Sequence, residues 1–165
     1  MGPGWGNVAL PLAQLGCSVT AVDVSPEFVE LIERRAAQIG AELEVITGDF
    51  SVIDDLDGPF EAVLFFESFH HSADHQKLLG SLDRLLPEGG RIVFAAEPVY
   101  RQFWAPWGVR LDGESLWATR RNGWLELGFR RDYFEELLRR HGWLTRRFNC
   151  PETHWGQIFV ADRIR

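Results

Sequence analysis

The sequence predicts an α/β chain with a doubly wound, mostly parallel sheet, and three observations carry that prediction. First, Val19–Val24 and Phe60–Phe66 are nearly continuous apolar runs, as strands buried on both faces of a parallel sheet require. Second, segments with apolar residues at helical spacing alternate with these runs. Third, the chain opens on Met1-Gly-Pro-Gly-Trp-Gly6, a helix-compatible run follows, and the next apolar segment leads into Asp23 and Val24. In an open α/β sheet, such glycines let the backbone turn tightly and approach a ligand closely. An acid at the tip of the next strand can accept hydrogen bonds from two ribose hydroxyls. Together they imply a nucleoside-containing ligand between the glycine turn and Asp23.

Bulk composition narrows the classes. At 165 residues a single domain over 1–165 is expected. Hydrophobic residues make up 45% and charged residues 25%, as in ordinary globular chains. Lys and Arg total 17 against 24 Asp and Glu, so the net charge of −7 argues against a nucleic-acid footprint. Lys77 is the single lysine, so positive charge is almost all arginine. Cys17 and Cys150 lie far apart without metal-type spacing, which points to reduced thiols and a cytoplasmic location. No apolar run approaches the ~18 residues of a membrane span, and no signal-peptide core follows Met1.

Taken in order, Asn7–Leu15 reads as a short helix with Val8, Leu12 and Leu15 on one face and Pro11 near its first turn. Gly16 ends it. After the strand at 19–24, Ser25-Pro26-Glu27 is a helix start: a serine N-cap, proline at the first helical position, an acid in the first turn. Phe28, Leu31, Ile32, Ala36 and Ile39 repeat at helical spacing, and Gly40 is the stop. Leu43–Ile46 is a short strand leading into Gly48-Asp49-Phe50. Asp54–Pro59 is an acidic turn. The strand at 60–66 delivers Glu67, His70 and His71 at its carboxyl end, the edge where open α/β sheets bind ligands. A histidine with a near-neutral pKa suits deprotonation of a hydroxyl. A metal is not expected at His70, His71 and His75, because no nearby carboxylate pattern completes a site.

Asp74–Leu86 reads as a helix, Pro87–Gly90 breaks it, and Arg91–Ala96 is the next strand, with Glu97 at its carboxyl end. Residues 98–129 change character: Tyr100, Phe103, Trp104, Trp107, Trp117, Trp124 and Phe129 are interleaved with Arg101, Arg110, Arg120 and Arg121. Such a mixture suits either a small aromatic core or an insert that walls a ligand pocket. A helix opening at Arg130 or Arg131 presents Tyr133, Phe134, Leu137 and Leu138, and ends at His141-Gly142. Trp143–Asn149 and Gln157–Ala161 are two final strands joined by a loop with Pro151, Thr153 and Trp155.

The opening block resembles the first motif of class I S-adenosylmethionine-dependent methyltransferases, acid-x-G-x-G-x-G, with Gly2-Pro3-Gly4 matching its last part. The likeness runs from Gly2 to about Asp162 and includes Asp23, the Gly48-Asp49 pair and the Leu86–Gly90 break. It implies a Rossmann-like sheet with a C-terminal antiparallel hairpin. It implies S-adenosylmethionine bound by Gly2, Gly4, Asp23, Asp49 and Phe50, with Asp49 on the adenine amino group and Phe50 packed on the purine. Glu67, His70 and His71 would face the acceptor and orient or deprotonate it. The family's first strand, its acid and its first glycine belong before Gly2, whereas the chain begins at Met1. The expectation is therefore a sheet whose first strand is missing, or whose place another segment takes.

The expected function is methyl transfer to a small-molecule or sugar-containing acceptor at oxygen. The aromatic and arginine content of 98–129 suits a sugar, a nucleotide-linked sugar or an aromatic hydroxyl compound without choosing among them, and Gly123–Phe129 resembles methyltransferase-like domains found near bacterial cell-surface glycan genes. Two alternatives stand beside it. One is a non-catalytic methyltransferase-like module or truncated fragment. The other is an NAD(P)-dependent oxidoreductase, disfavoured because a dinucleotide fingerprint counted from Gly2 and Gly4 wants glycine where Asn7 stands.

Overall fold

The structure, a computed structural model, describes residues 1–149 and 156–164. Cys150 and the loop residues Pro151, Thr153 and Trp155 lie outside the described residues. The chain divides into two compact units, Met1–Leu56 and Asp57–Arg165.

In the first unit, helix α1 (Ala9–Gln14) precedes strand β1 (Thr20–Asp23), helix α2 (Pro26–Ile39) and strand β2 (Glu44–Thr47). A 3-10 turn covers Phe50–Asp54. β1 and β2 pair in parallel, in register from Thr20–Glu44 to Asp23–Thr47. α2 starts and stops as its punctuation dictates. Ser25 Oγ accepts from Phe28 N–H at 3.2 Å, Pro26 opens the helix, and Gly40 closes it in the left-handed conformation. The buried face differs from the predicted one. α2 buries Val29, Ile32 and Ala36, while Leu31 and Ile39 are exposed. α1 is shorter than predicted and buries Ala9 and Leu10, leaving Leu15 in solvent. Pro11 falls in its first turn, where the missing N–H leaves no bond unmade. Leu10, Ile32 and Ala36 form a small core, joined by Leu43 and Val45.

In the second unit, β3 (Ala62–Phe66), α3 (His75–Leu85) and β4 (Arg91–Ala95) form a parallel crossover. Then come β5 (Val99–Tyr100), β6 (Trp107–Val109), α4 (Gly113–Asn122), β7 (Leu127–Arg130), α5 (Arg131–Arg140), β8 (Trp143–Asn149) and β9 (Gln157–Arg163). The four-stranded sheet has the order β3-β4-β9-β8, with β9 antiparallel to both neighbours, so the expected terminal hairpin is present. The segment read as an aromatic connection is structured. β7 pairs parallel with β5 and antiparallel with β6, and α4 lies between β6 and β7 in sequence. Strands of two to four residues are too short to show a period in the sequence.

Aromatic rings fill this unit's core. Phe69, fully buried, sits 4.9 Å from Phe94, 5.3 Å from Phe65, 5.8 Å from Phe129 and 6.0 Å from Phe134. Most of these pairs meet edge to face, the arrangement ring quadrupoles favour. His75 is buried beside them, its Nε2 2.9 Å from Tyr133 Oη. Among the described residues, no helix is long and apolar enough to cross a membrane.

Truncating the centre of this core, Phe69→Ala, is expected to cost about 3–5 kcal/mol in urea unfolding; a loss below about 1 kcal/mol would show that the ring cluster does not hold the unit. Burial lowers the His75 pKa below its usual value. The unfolded chain then takes up this proton first, so stability falls as pH drops from about 6.5 toward the folded-state pKa. Melting curves at about pH 7 and about pH 5.5 should show a smaller drop for His75→Phe than for the unsubstituted chain. Equal drops in the two proteins would rule this out.

Candidate functional site

The cofactor-side candidates Gly2, Gly4, Asp23, Asp49 and Phe50 all lie in the first unit, and backbone hydrogen bonds explain their arrangement. Gly2, Gly4 and Gly6 all have positive φ, at 60°, 53° and 76°. That is a backbone L side chains adopt only with strain. The alternation of glycines is therefore a conformational requirement. Gly2 N–H donates to Val22 O at 2.9 Å, and Gly4 N–H donates to Asp23 Oδ2 at 2.9 Å. Asp23 Oδ1 accepts from Ser25 N–H at 3.0 Å. The carboxylate thus clamps the glycine loop on one side and the start of α2 on the other.

The glycines differ in what surrounds them. A Cβ on Gly6 would stand 3.0 Å from Ile32 Cγ1, so this glycine serves helix packing. A Cβ on Gly4 would meet nothing within 4 Å, so the loop faces open space there. Because β1 and β2 are parallel and in register, Asp23 and Thr47 end side by side, and Gly48 N–H donates to Asp23 O at 2.9 Å. Asp49 follows at the same edge, exposed, and caps the 3-10 turn through Ser51 N–H at 2.8 Å and Ser51 Oγ at 2.6 Å. These bonds hold its carboxyl below the usual range. Both fall on Oδ1. Phe50, half-buried, opens the turn. A shallow hollow lined by Ala13, Cys17, Thr20, Gly40 and Glu44 lies at the opposite, amino-terminal edge of these strands. It contains none of the candidates.

The acceptor-side candidates lie in the second unit, just past β3. Glu67 and Ala96 follow the ends of the parallel strands β3 and β4, and both have positive φ, at 48° and 57°. Two non-glycine residues thus hold backbone strain at neighbouring strand tips. Buried Glu97 organises the loop between them. Its Oε1 accepts from Ser68 N–H and Phe69 N–H, each at 2.9 Å. Its Oε2 takes His70 N–H at 3.1 Å and His70 Nδ1 at 2.8 Å.

His70 Nε2 then lies 3.4 Å from Glu126 Oε2. Burial alone would lower the His70 pKa, but Glu126 and Glu97 outweigh it through hydrogen bonds and charge, and the pKa rises to about 9. His71 goes the other way, lowered by burial and then by the charge on His70. Its Nδ1 is 2.7 Å from Leu125 O. Glu67 is exposed as a residue, yet the protein around its carboxyl raises its pKa, and the Glu97 and Glu126 charges add to this against His70 and Arg110.

Several of these partners escaped the sequence reading. Arg35 on α2 donates to Trp5 O and, at 3.0 Å, to Asn7 Oδ1, pinning the glycine loop from 28 residues away. Glu126 and Arg110 reach the His70 loop from beside the β6–β7 pair, with Arg110 Nη1 3.4 Å from Glu126 Oε2. No spacing rule links residues so distant in the chain. Nothing along the chain marks Glu126 as buried; only the fold brings it to His70.

Comparison with known proteins agrees with this geometry. A family model described as a methyltransferase domain matches residues 1–94. A demethylmenaquinone methyltransferase of Thermus thermophilus is 34% identical over 97 residues, covering 58% of this chain and 44% of the relative. An uncharacterized protein of Mycobacterium tuberculosis is 30% identical over 160 residues, covering 90% of this chain and 57% of the relative. The chain thus spans about half the length of these curated relatives. Among solved structures, magnesium protoporphyrin IX methyltransferase from Synechocystis, with bound S-adenosylmethionine, superposes with a TM-score of 0.69 at 18% identity, covering 98% of this chain and 67% of that one. That similarity is one of fold. Because the family model spans more than half of its residues, and the strand-tip acid and glycine turn lie within the matched stretch, this chain belongs to the class I S-adenosylmethionine-dependent methyltransferases.

Proposed function

We propose that this chain binds S-adenosylmethionine through its first unit and serves methyl transfer to an oxygen of a small-molecule acceptor. The observation that carries the reading is the Asp23 clamp. A buried carboxylate at a parallel strand tip holds a positive-φ glycine loop that has open space in front of Gly4. The residues fit the group. Gly2 and Gly4 let the loop approach closely without a side chain. Each Asp23 oxygen takes one backbone N–H and keeps a further lone pair for a ribose hydroxyl. Asp49 Oδ2 and Phe50 are proposed for the adenine amino group and ring face. When bound, the cofactor supplies an electrophilic methyl group on a sulfonium, so the protein's own work is to position the acceptor and exclude water.

On the acceptor side, Glu67, His70 and His71 are proposed to orient an acceptor oxygen or deprotonate it. His70, held cationic between its two glutamates, has both ring nitrogens turned to them, so its proposed part is to fix the loop that presents Glu67 and His71 to the acceptor. The exposed rings of Trp104, Trp117 and Trp124, together with Arg101, Arg120 and Arg121, support a flat or oxygen-rich acceptor, including a sugar-containing one. The relatives named for menaquinone and protoporphyrin also act on small ring compounds by their names.

Calorimetry of the full chain with S-adenosylhomocysteine, set against NAD, tests the cofactor assignment. Asp23→Asn is expected to weaken S-adenosylhomocysteine binding roughly 10- to 150-fold, the cost of about 1.5–3 kcal/mol for hydrogen bonds to a charged group. Circular dichroism checks that the variant folds. An Asp23→Asn protein that folds and binds with undiminished affinity, or a chain that binds NAD instead, would sink the proposal.

A further inference from the structure

Helix α4 (Gly113–Asn122) presents its bulky apolar residues to solvent. At about 100° per residue, Leu116, Arg120, Gly113, Trp117, Arg121 and Glu114 fall in one stripe about 160° wide. All six are exposed, Leu116 at 46% and Trp117 at 63%. The opposite side carries small residues: Ser115 is buried, and Ala118 and Thr119 are half-buried. Asp112 anchors that side, its Oδ1 accepting from Ser115 N–H and its Oδ2 from Ser115 Oγ, each at 3.0 Å. A surface helix ordinarily does the reverse, with its large apolar side chains turned inward. Leu111, just before the cap, is exposed as well and adds to the apolar surface. Exposed apolar surface rimmed by charge marks an interaction site.

The order of charges along the stripe indicates what covers it. Glu114 stands at the start, Leu116 and Trp117 in the middle, Arg120 and Arg121 at the end. Among the described residues, none of these three charged groups makes an ion pair. The order suits the helix dipole, but the dipole does not account for the apolar residues between the charges. Glu114 and Arg121 are two helical turns apart, so they share one flank of the stripe. A second copy related by a two-fold axis would lay its α4 antiparallel across this one. Each Glu114 then meets the partner's Arg121, and the two Trp117 rings meet near the axis. Such self-complementarity is what an isologous interface requires. A lipid surface fits less well. Recognition of anionic headgroups uses clusters of about 4–8 basic residues, whereas α4 offers Arg120 and Arg121, and the net charge of −7 opposes the approach.

We propose that the outward stripe of α4 is a homodimer interface, in which two copies of this chain pair their α4 helices antiparallel about a two-fold axis near Trp117. The proposal goes beyond the acceptor reading and does not rest on it. Trp124, 5.9 Å from His71, stands on the acceptor side, whereas Trp117 lies in the outward stripe. Burial of Leu116 and Trp117 supplies the affinity. The crossed Glu114–Arg121 pairs remain near solvent and add little to it, but they fix the antiparallel sense and the register. α4 is about 15 Å long, so the contact lies at the small end of specific interfaces, and a dissociation constant of about 10–100 μM is expected.

Analytical ultracentrifugation of the full chain tests this. From about 5 to about 500 μM the chain should pass from monomer to dimer. Leu116→Glu places a charge in the middle of the stripe and should weaken the dimer at least about tenfold. Glu114→Arg and Arg121→Glu set like charges against each other across the axis, and each should weaken self-association about five- to tenfold. Mixed in equal amounts, these two variants should form a heterodimer as tight as the unsubstituted dimer, because each copy then supplies the charge the other lacks. Circular dichroism checks that every variant folds. A chain that stays monomeric over the whole range, a dimer that Leu116→Glu leaves intact, or a mixture no tighter than its components overturns the proposal. Cosedimentation of a monomeric chain with phosphatidylglycerol vesicles, abolished by Leu116→Glu, would give the stripe to a lipid surface and overturn it as well.

Discussion

The polar edge of the second unit depends on one buried carboxylate. Taking Glu97 out of water costs several kcal/mol unless its lone pairs are filled. They are filled by three consecutive backbone N–H groups and one imidazole. That set of bonds fixes the path of residues 68–70 as a tight turn against the end of β4. It also offsets the strain of positive φ at Glu67 and Ala96, of order 1–3 kcal/mol each. With His70 Nδ1 committed to Glu97, the other face of the ring has one direction left, toward Glu126. The geometry of the whole polar cluster follows from that first set of bonds.

The first unit uses the same device with simpler parts. Asp23, at the tip of a parallel strand, captures the N–H of Gly4 and of Ser25. Parallel strands end with their carbonyl edges together, and the loops beyond them bring unpaired N–H groups to that edge. An acid placed there satisfies those donors and keeps lone pairs to spare. Arg35 adds a second anchor from α2, so the glycine turn is held at both its start and its end. A ligand meeting this loop finds it already ordered, which lowers the entropy cost of binding.

Legibility followed the range of the interactions. The Ser25-Pro26 start and Gly40 stop of α2 were readable because capping acts within four residues. The positions of Asp23 and Asp49 at strand ends were readable because a strand delivers its last residue to an edge. The buried face of α2 was misjudged: Leu31 and Ile39 share its apolar character with Ile32, and only the neighbour across the gap decides which side is covered. The strands and helix within 98–129 were hidden because β5, β6 and β7 are too short for periodicity and owe their existence to one another.

From its sequence alone, this chain's α/β class, the glycine turn, the strand-tip acids and the histidine pair after the 60–66 strand could be assigned. Each is a local property, set by backbone sterics, capping or alternation over a few residues. Folding decided what those groups do to each other. It brought Glu97 under the 68–70 backbone, and Glu126 and Leu125 O up to His70 and His71 across more than fifty residues of chain. A pKa near 9 on one histidine and a lowered one on its neighbour are consequences of that approach. Charge and desolvation act through space, and the order of residues along the chain does not record distances in space.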